Sequence, residues 1–321
     1  MTNFANEVEA AKAFNDSYSK LTKEISKVVV GQDEVIRLVL TSIFCQSHSL
    51  LVGVPGLAKT LLVKTISEVL DLSFNRVQFT PDLMPSDITG SETLTANREL
   101  KFVKGPIFSN IVLADEINRT PPKTQAALLE AMQEKAVTIA GVNYKLEPPF
   151  FVLATQNPIE QEGTYPLPEA QQDRFMFNIV VNYPTFQEEV DVIKNTTTEK
   201  KITVNHILSA SEILTFQELV RKVPVTDNVI EYAVSLVQKT RPDNVNAATV
   251  TKDLLEWGAG PRASQFLILG AKCNALLNGK YSPDIEDVQA VAIPILRHRV
   301  IRNFKAEAEG ISVDDIIKQL F

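Results

Sequence analysis

Gly53-Val54-Pro55-Gly56-Leu57-Ala58-Lys59-Thr60 follows the apolar run Ser49-Leu50-Leu51-Val52 and leads through Leu61 into a helical pattern. A strand, a glycine turn, a Lys-Thr pair and a helix, in that order, make a phosphate cradle. Consecutive backbone N–H groups turn inward, and the helix N-terminus adds partial positive charge. In such a cradle Lys59 reaches the β/γ-phosphates and the Thr60 hydroxyl holds Mg²⁺. The general pattern is GxxxxGK[ST], and position 58 departs from it as Ala. Alanine lets the loop close as long as position 58 needs no φ above zero. The same eight residues also read as an ordinary Gly/Pro turn ahead of a helix.

A second chemical stretch is Ile111-Val112-Leu113-Ala114-Asp115-Glu116, a buried apolar strand ending in two carboxylates. The C-terminal edge of a parallel sheet is where ligands sit. There Asp115 would bind Mg²⁺, directly or through water, and Glu116 would polarise a water attacking the γ-phosphate. Many strands stop at a charged turn, so the pair gains its meaning from the cradle upstream. A third strand, Pro149 to Thr155, ends in Gln156-Asn157-Pro158. Asn157 either holds the attacking water or γ-phosphate, or simply makes an Asn-Pro turn. Arg174 sits just before strand residues, where it either projects across a subunit interface to a neighbour's γ-phosphate or pairs with Asp173 or another acid. Arg262 follows Pro261 in the first turn of a helix. A first-turn cation opposes the helix dipole, so Arg262 either joins the dipole in favouring a phosphate or is a solvated arginine. Val28-Val29-Val30-Gly31 precedes the cradle strand, and either walls an adenine pocket with Val30 and Gly31 or packs a helix joint.

The elements that must position these residues follow from periodicity. Helices are expected over 4–28, Glu34–Gln46 and Thr60–Leu70, with strands at Phe74–Phe79, 111–115, 149–155 and 175–181. Thr80 to Gly90 reads as a loop, and Glu92 to Phe108 as an inserted hairpin turning at Asn97-Arg98. Thr120 is the expected N-cap of a helix starting at Pro121 and running to about Glu134. Lys135 to Lys145 reads as a second hairpin around Gly141-Val142-Asn143. After Tyr183-Pro184 helical periodicity dominates to the end, placing a domain boundary near Thr185.

The 321 residues are enough for two domains, and their net charge of −7 comes from 39 acids against 32 bases. That balance argues against broad nucleic-acid binding. Cys45 and Cys273 form no CxxC pattern, so no disulfide framework or zinc site is implied, both read as buried apolar residues, and a reducing cytoplasm fits. The early acids of the N-terminal stretch leave no apolar core for a signal peptide, and no window reads as a membrane span. His48, His206 and His298 lack metal-ligand spacing and read as structural or surface groups. Arg297-His298-Arg299 with Arg302 reads as a solvated basic face.

Taken together, these stretches resemble the MoxR family of AAA+ ATPases, in the helix-2-insert branch with magnesium-chelatase ATPase subunits and MCM helicases. The similarity covers nearly the whole chain. It is carried by Gly53–Thr60, the run Leu113–Met132, Ala154–Pro158, Leu167–Phe175 and Gly258–Ser264. Ala58 is usual in that family. The resemblance implies an α/β fold, a five-stranded parallel sheet flanked by helices, over 1–184, and an all-α lid over 185–321. Residues 86–108 match the helix-2 insert and 135–148 the hairpin before the third strand. Gly53 to Leu61, with Val30 and Gly31, would hold ATP, and Thr60 and Asp115 the Mg²⁺. Lys59 and Thr60 are then the Walker A pair, Asp115 and Glu116 the Walker B pair, Asn157 sensor 1, Arg262 the sensor 2 arginine and Arg174 a trans-acting finger. Implied too are a hexameric ring, ATP hydrolysis driving chaperone-like maturation or cofactor insertion, a von Willebrand factor A-domain partner and a client protein. A chelatase-like motor subunit and a nucleic-acid-dependent motor are the rival readings, and the acidic balance counts against the second.

Overall fold

The computed structural model describes residues 7–94, 98–159, 163–197 and 202–321. The first residues of the expected N-terminal helix, the Asn97 turn position and residues 160–162 of the loop after Asn157 lie outside them.

In chain order the sheet domain comprises α1 (Glu7–Ile25), α2 (Asp33–Phe44), β1 (His48–Val52), α3 (Lys59–Val69), β2 (Phe74–Gln78), α4 (Pro85–Thr89), β3 (Gly90–Leu94), β4 (Leu100–Lys104), β5 (Ile111–Asp115), α5 (Pro122–Glu134), β6 (Ala136–Ile139), β7 (Val142–Lys145), β8 (Phe151–Gln156), α6 (Glu169–Gln172) and β9 (Phe175–Val180). Five of these strands form one sheet in the order β2-β5-β8-β1-β9, and every pairing in it is parallel. Successive residues face opposite sides of a strand, and here both sides are covered. Leu51, Ile111, Leu113, Phe151 and Leu153 pack under α1, α2, α3 and the C-terminal helices. Leu50, Val112, Ala114, Val152 and Ala154 pack against α5 and the base of the β3–β4 hairpin. Double coverage explains why these strands read as unbroken apolar runs.

After β9 come α7 (Phe186–Thr196), α8 (Ala210–Lys222), α9 (Asp227–Lys239), α10 (Thr249–Leu254), β10 (Leu255–Trp257), α11 (Pro261–Leu277), α12 (Ile285–Leu296), β11 (Ile301–Arg302), α13 (Phe304–Ala308) and α14 (Val313–Lys318). The side chains of Thr185, Ser209 and Asp284 each accept a backbone N–H three residues on and so open α7, α8 and α12. Among the described residues the antiparallel ribbon of β10 and β11 is the only strand pairing in this region. Strands of three and two residues are too short to show a period in sequence.

Three local expectations shift. The 80–90 loop contains the short helix α4, started by Pro85 with the Asp87 carboxylate accepting Met84 N–H at 2.8 Å. The second hairpin turns at Ala140-Gly141, both at positive φ, as a two-residue turn matching strand twist requires; Val142 and Asn143 belong to β7. Thr120 is not the cap of α5. It is buried and donates its hydroxyl to Thr80 O at 2.5 Å, while Pro121 holds the cap position and Pro122 opens the helix.

Candidate active site

Parallel register brings the ends of β1, β5 and β8 to one edge. Leu51 lies beside Thr155 and Ala114 beside Ala154, so the turn after Val52, the Asp115-Glu116 pair and Asn157 emerge side by side. Gly53 and Leu57 are buried, Val54 half-buried, and Pro55, Gly56 and Ala58 exposed. Gly56 has φ +85 and open space where a Cβ would stand. Ala58 has φ 53 and ψ 24. The condition set on the sequence, no positive φ at position 58, is therefore not met. The loop closes with alanine in the left-handed region, where the general pattern has glycine, at a cost of roughly 1–2 kcal/mol.

α3 starts at Lys59, so Lys59, Thr60 and Leu61 occupy its first turn, whose N–H groups lack intrahelical partners. Lys59 Nζ folds back on Gly53 O at 2.5 Å. Burial lowers its pKa, while the Asp115 and Glu116 carboxylates pull it back up. The register of β1, β5 and β8 places those three charges at the same edge of the sheet. The Thr60 hydroxyl makes no hydrogen bond among the described residues.

The acids are held by groups that sequence reasoning did not single out. Thr155 Oγ1 donates to Asp115 Oδ1 at 2.6 Å and accepts Glu116 N–H at 2.8 Å. Arg76 on β2 pairs with Asp115 Oδ2 at 2.7 Å. Gln78, two residues on, donates to Glu116 Oε2 at 2.6 Å, and Arg119 donates to the same oxygen at 3.0 Å. Glu116 itself sits at φ 57, ψ 50, an uncommon backbone of the kind that clusters at functional sites. The signal for Arg76 and Gln78 was present in the polar alternation of Phe74–Gln78. Asn157 makes the turn of its second reading. Its Oδ1 accepts Ile159 N–H at 3.2 Å and forms the turn, and its amide donors have no partner among the described residues.

Gln32 Nε2 donates to Leu57 O at 3.0 Å, tying the Val30-Gly31 segment to the loop. Gly31 lines a cleft of about 380 Å³ with Gln32, Leu38, Ile179, Tyr183 and Ile293, whereas Val30 is half-buried beside it. Gln32 Oε1 is buried with no partner among the described residues. An open cradle, an uncompensated first helical turn and this orphan acceptor together fit a nucleotide.

Arg174 and Arg262 are not brought to this edge. Arg174 precedes β9, whose first residue pairs with His48 at the start of β1. A six-residue strand separates the two edges by about 17 Å. Arg174 is not paired with Asp173, and no acid lies within ion-pair distance of it among the described residues. Asp173 instead takes Arg262 at 2.9 Å and the buried Arg299 at 2.7 Å. Arg297 pairs with Asp314 at 2.6 Å, so the basic run is bound internally and is not a solvated face. His48 and His298 are buried and His206 exposed, so the structural reading of the histidines holds. The thiols of Cys45 and Cys273 are buried, and burial pushes Cys45 well above its ordinary pKa.

This fold and site define a P-loop ATPase of the AAA class. Residues 48–177 match the model of the ATPase family associated with various cellular activities, and residues 247–320 the AAA lid domain. Chaperone MoxR1 of Mycobacterium tuberculosis is 42% identical over 92% of this chain and 79% of its own. An uncharacterised Bacillus subtilis protein, YeaC, is 41% identical over 94% of this chain and 92% of its own. A crystal structure of a candidate ATPase from Cytophaga hutchinsonii superposes with a TM-score of 0.90 at 43% identity, covering 97% of this chain and 95% of that one. The chain belongs to the MoxR family of AAA+ ATPases.

Proposed function

We propose that the chain hydrolyses ATP to ADP and phosphate at the edge formed by β1, β5 and β8. The observation that carries this is that the parallel register brings the Lys59 loop, the Asp115-Glu116 pair and Asn157 out at one sheet edge. The main-chain N–H groups of Val54 and residues 56–60, Pro55 having none, and the Lys59 ammonium would hold the phosphates. Glu116 has Oε1 clear of its two donors, Gln78 and Arg119, and would take the proton of the attacking water. The Asn157 amide would fix that water or the γ-phosphate. Thr60 and Asp115 would hold Mg²⁺, which supplies positive charge against the phosphate oxygens. The Gly31 cleft would take the adenine.

Because Arg174 and Arg262 lie at the far edge, each would serve the site of an adjacent copy. We therefore propose a ring, as a hexamer, with domains at 1–184 and 185–321. The relative named as a chaperone supports chaperone-like work on a client protein. A von Willebrand factor A-domain partner follows from the family resemblance. Two free thiols support a reducing cytoplasm, and no described helix is long and apolar enough to cross a membrane. Equilibrium ATP binding and phosphate release test the reading. Lys59→Ala is expected to lose binding by at least tenfold, and Glu116→Gln to keep binding and lose turnover. Equal loss of binding in both would overturn the assigned roles.

A further inference from the structure

On the side of the molecule away from Lys59 lies a cleft of about 550 Å³ between the end of α2, the end of α5, the start of β9 and α11. Lys135, Arg174, Arg221 and Lys272 line it, and among the described residues no carboxylate does. None of the four has an acid within ion-pair distance among the described residues. Arg221 makes a 3.4 Å contact with Gln46, and Lys272 donates to Arg221 O at 3.0 Å. His48 at the floor adds no charge, because burial holds its pKa at about 4.

A bland account is available, since cations favour helix C-termini. Cys45 caps α2 and Lys135 caps α5, and Arg221 stands in the last turn of α8. Each such terminus carries about half a negative charge. Three of them offset about 1.5 of four positive charges, leaving an excess of about 2.5 in a chain whose net charge is −7. Burial depresses Lys272, and Arg221 adds to the effect, so the cluster costs free energy as it stands. Clefts lined by one sign of charge focus field and concentrate counter-ions, and two guanidiniums offer bidentate recognition of phosphate.

We propose that this cleft binds a di- or triphosphate anion. The anion would come either from the nucleotide of an adjacent copy, which rests on the proposed function, or from a free polyphosphate ester, which does not. The probe for the free source is inorganic tripolyphosphate, titrated calorimetrically into full-length Lys59→Ala. Binding that weakens at least tenfold in Lys59→Ala/Arg221→Gln/Lys272→Gln, and persists with Arg221→Lys/Lys272→Arg, supports a free ligand. The second arm reads ATP turnover of Arg221→Gln/Lys272→Gln. A tenfold fall with nucleotide binding unchanged, partly restored on mixing with Glu116→Gln subunits, supports the neighbour's nucleotide. Absence of both effects in folded protein overturns the proposal. Should the unsubstituted chain bind ATP without hydrolysing it, the proposed function falls, and the tripolyphosphate arm still decides the cleft.

Discussion

Two residues at the site stand in the left-handed region without being glycine, Ala58 at φ 53 and Glu116 at φ 57. Each is flanked by groups that hold it there: Ala58 O accepts Leu62 N–H at 2.9 Å, and Glu116 N–H is fixed by Thr155. For Ala58 the cost is separable from function, because its methyl is exposed. Removing the methyl relieves about 1–2 kcal/mol of backbone strain, and the freer unfolded glycine returns about 0.5–1 kcal/mol of it. Ala58→Gly is therefore expected to stabilise the chain by about 0.5–1 kcal/mol, read as a rise in urea midpoint at unchanged slope, with nucleotide binding kept. A drop in midpoint would show that the loop does not hold position 58 in this conformation.

At the scale of elements, β9 is the strand on which the helical region is fastened. Arg299, which follows α12, is buried and donates to Asp173 Oδ1, to the carbonyls of Asp173, Phe175 and Met176, and to Ile295 O. Its pKa is lowered to about 10 by burial, with Asp173 opposing. Neutralising Asp173 leaves a buried guanidinium without its counter-charge. The loss is kept below the usual 3–5 kcal/mol because Asp173 itself is partly exposed. Asp173→Asn is expected to cost about 2 kcal/mol and to speed amide exchange in α12 and at the start of β9. Unchanged exchange there would mean the carbonyl contacts alone secure α12. That fastening shows what a sequence can and cannot disclose. Strands β1, β5, β8 and β9 were legible because double burial writes itself as apolar runs, and the chemical residues at their ends followed from position. The Arg262–Asp173 pair joins residues 89 apart, and Thr155 meets Asp115 across 40. Such links depend on strand order and helix docking, which local periodicity does not carry. The left-handed turn at Ala58 was hidden for a related reason, since only the packed loop fixes that φ.

For the whole molecule, two buried imidazoles set an acid limit. His48 Nδ1 accepts Val152 N–H at 3.0 Å and Nε2 faces Met132 O at 3.2 Å, so the ring is neutral and fully used. Burial lowers its pKa from 6.5 to about 4, and His298 is displaced the same way by burial and then Arg299. As pH falls through 6.5 the unfolded chain takes up protons that the folded chain refuses. Stability contributed by His48 is complete above that pH and declines by about 3 kcal/mol down to pH 4. Unfolding midpoints measured across that range should fall, and His48→Asn should flatten the curve. A second whole-molecule consequence follows from the placement of the Lys59 loop and Arg174 on opposite sheet edges. In the proposed ring, where Arg174 serves the adjacent copy, a subunit carrying Arg174→Ala would keep an intact Lys59 edge but lend nothing to its neighbour, and one carrying Glu116→Gln would do the reverse. In a closed ring each interface is heterologous, so mixing the two creates some junctions where an intact Lys59 edge meets an intact Arg174. With random equimolar assembly about one junction in four is of that kind. Phosphate release is therefore expected to recover to about a quarter of the unsubstituted rate, against near-background rates for either variant alone. If mixed rings form, as native mass spectrometry can show, and release stays at background, Arg174 does not serve a neighbouring site.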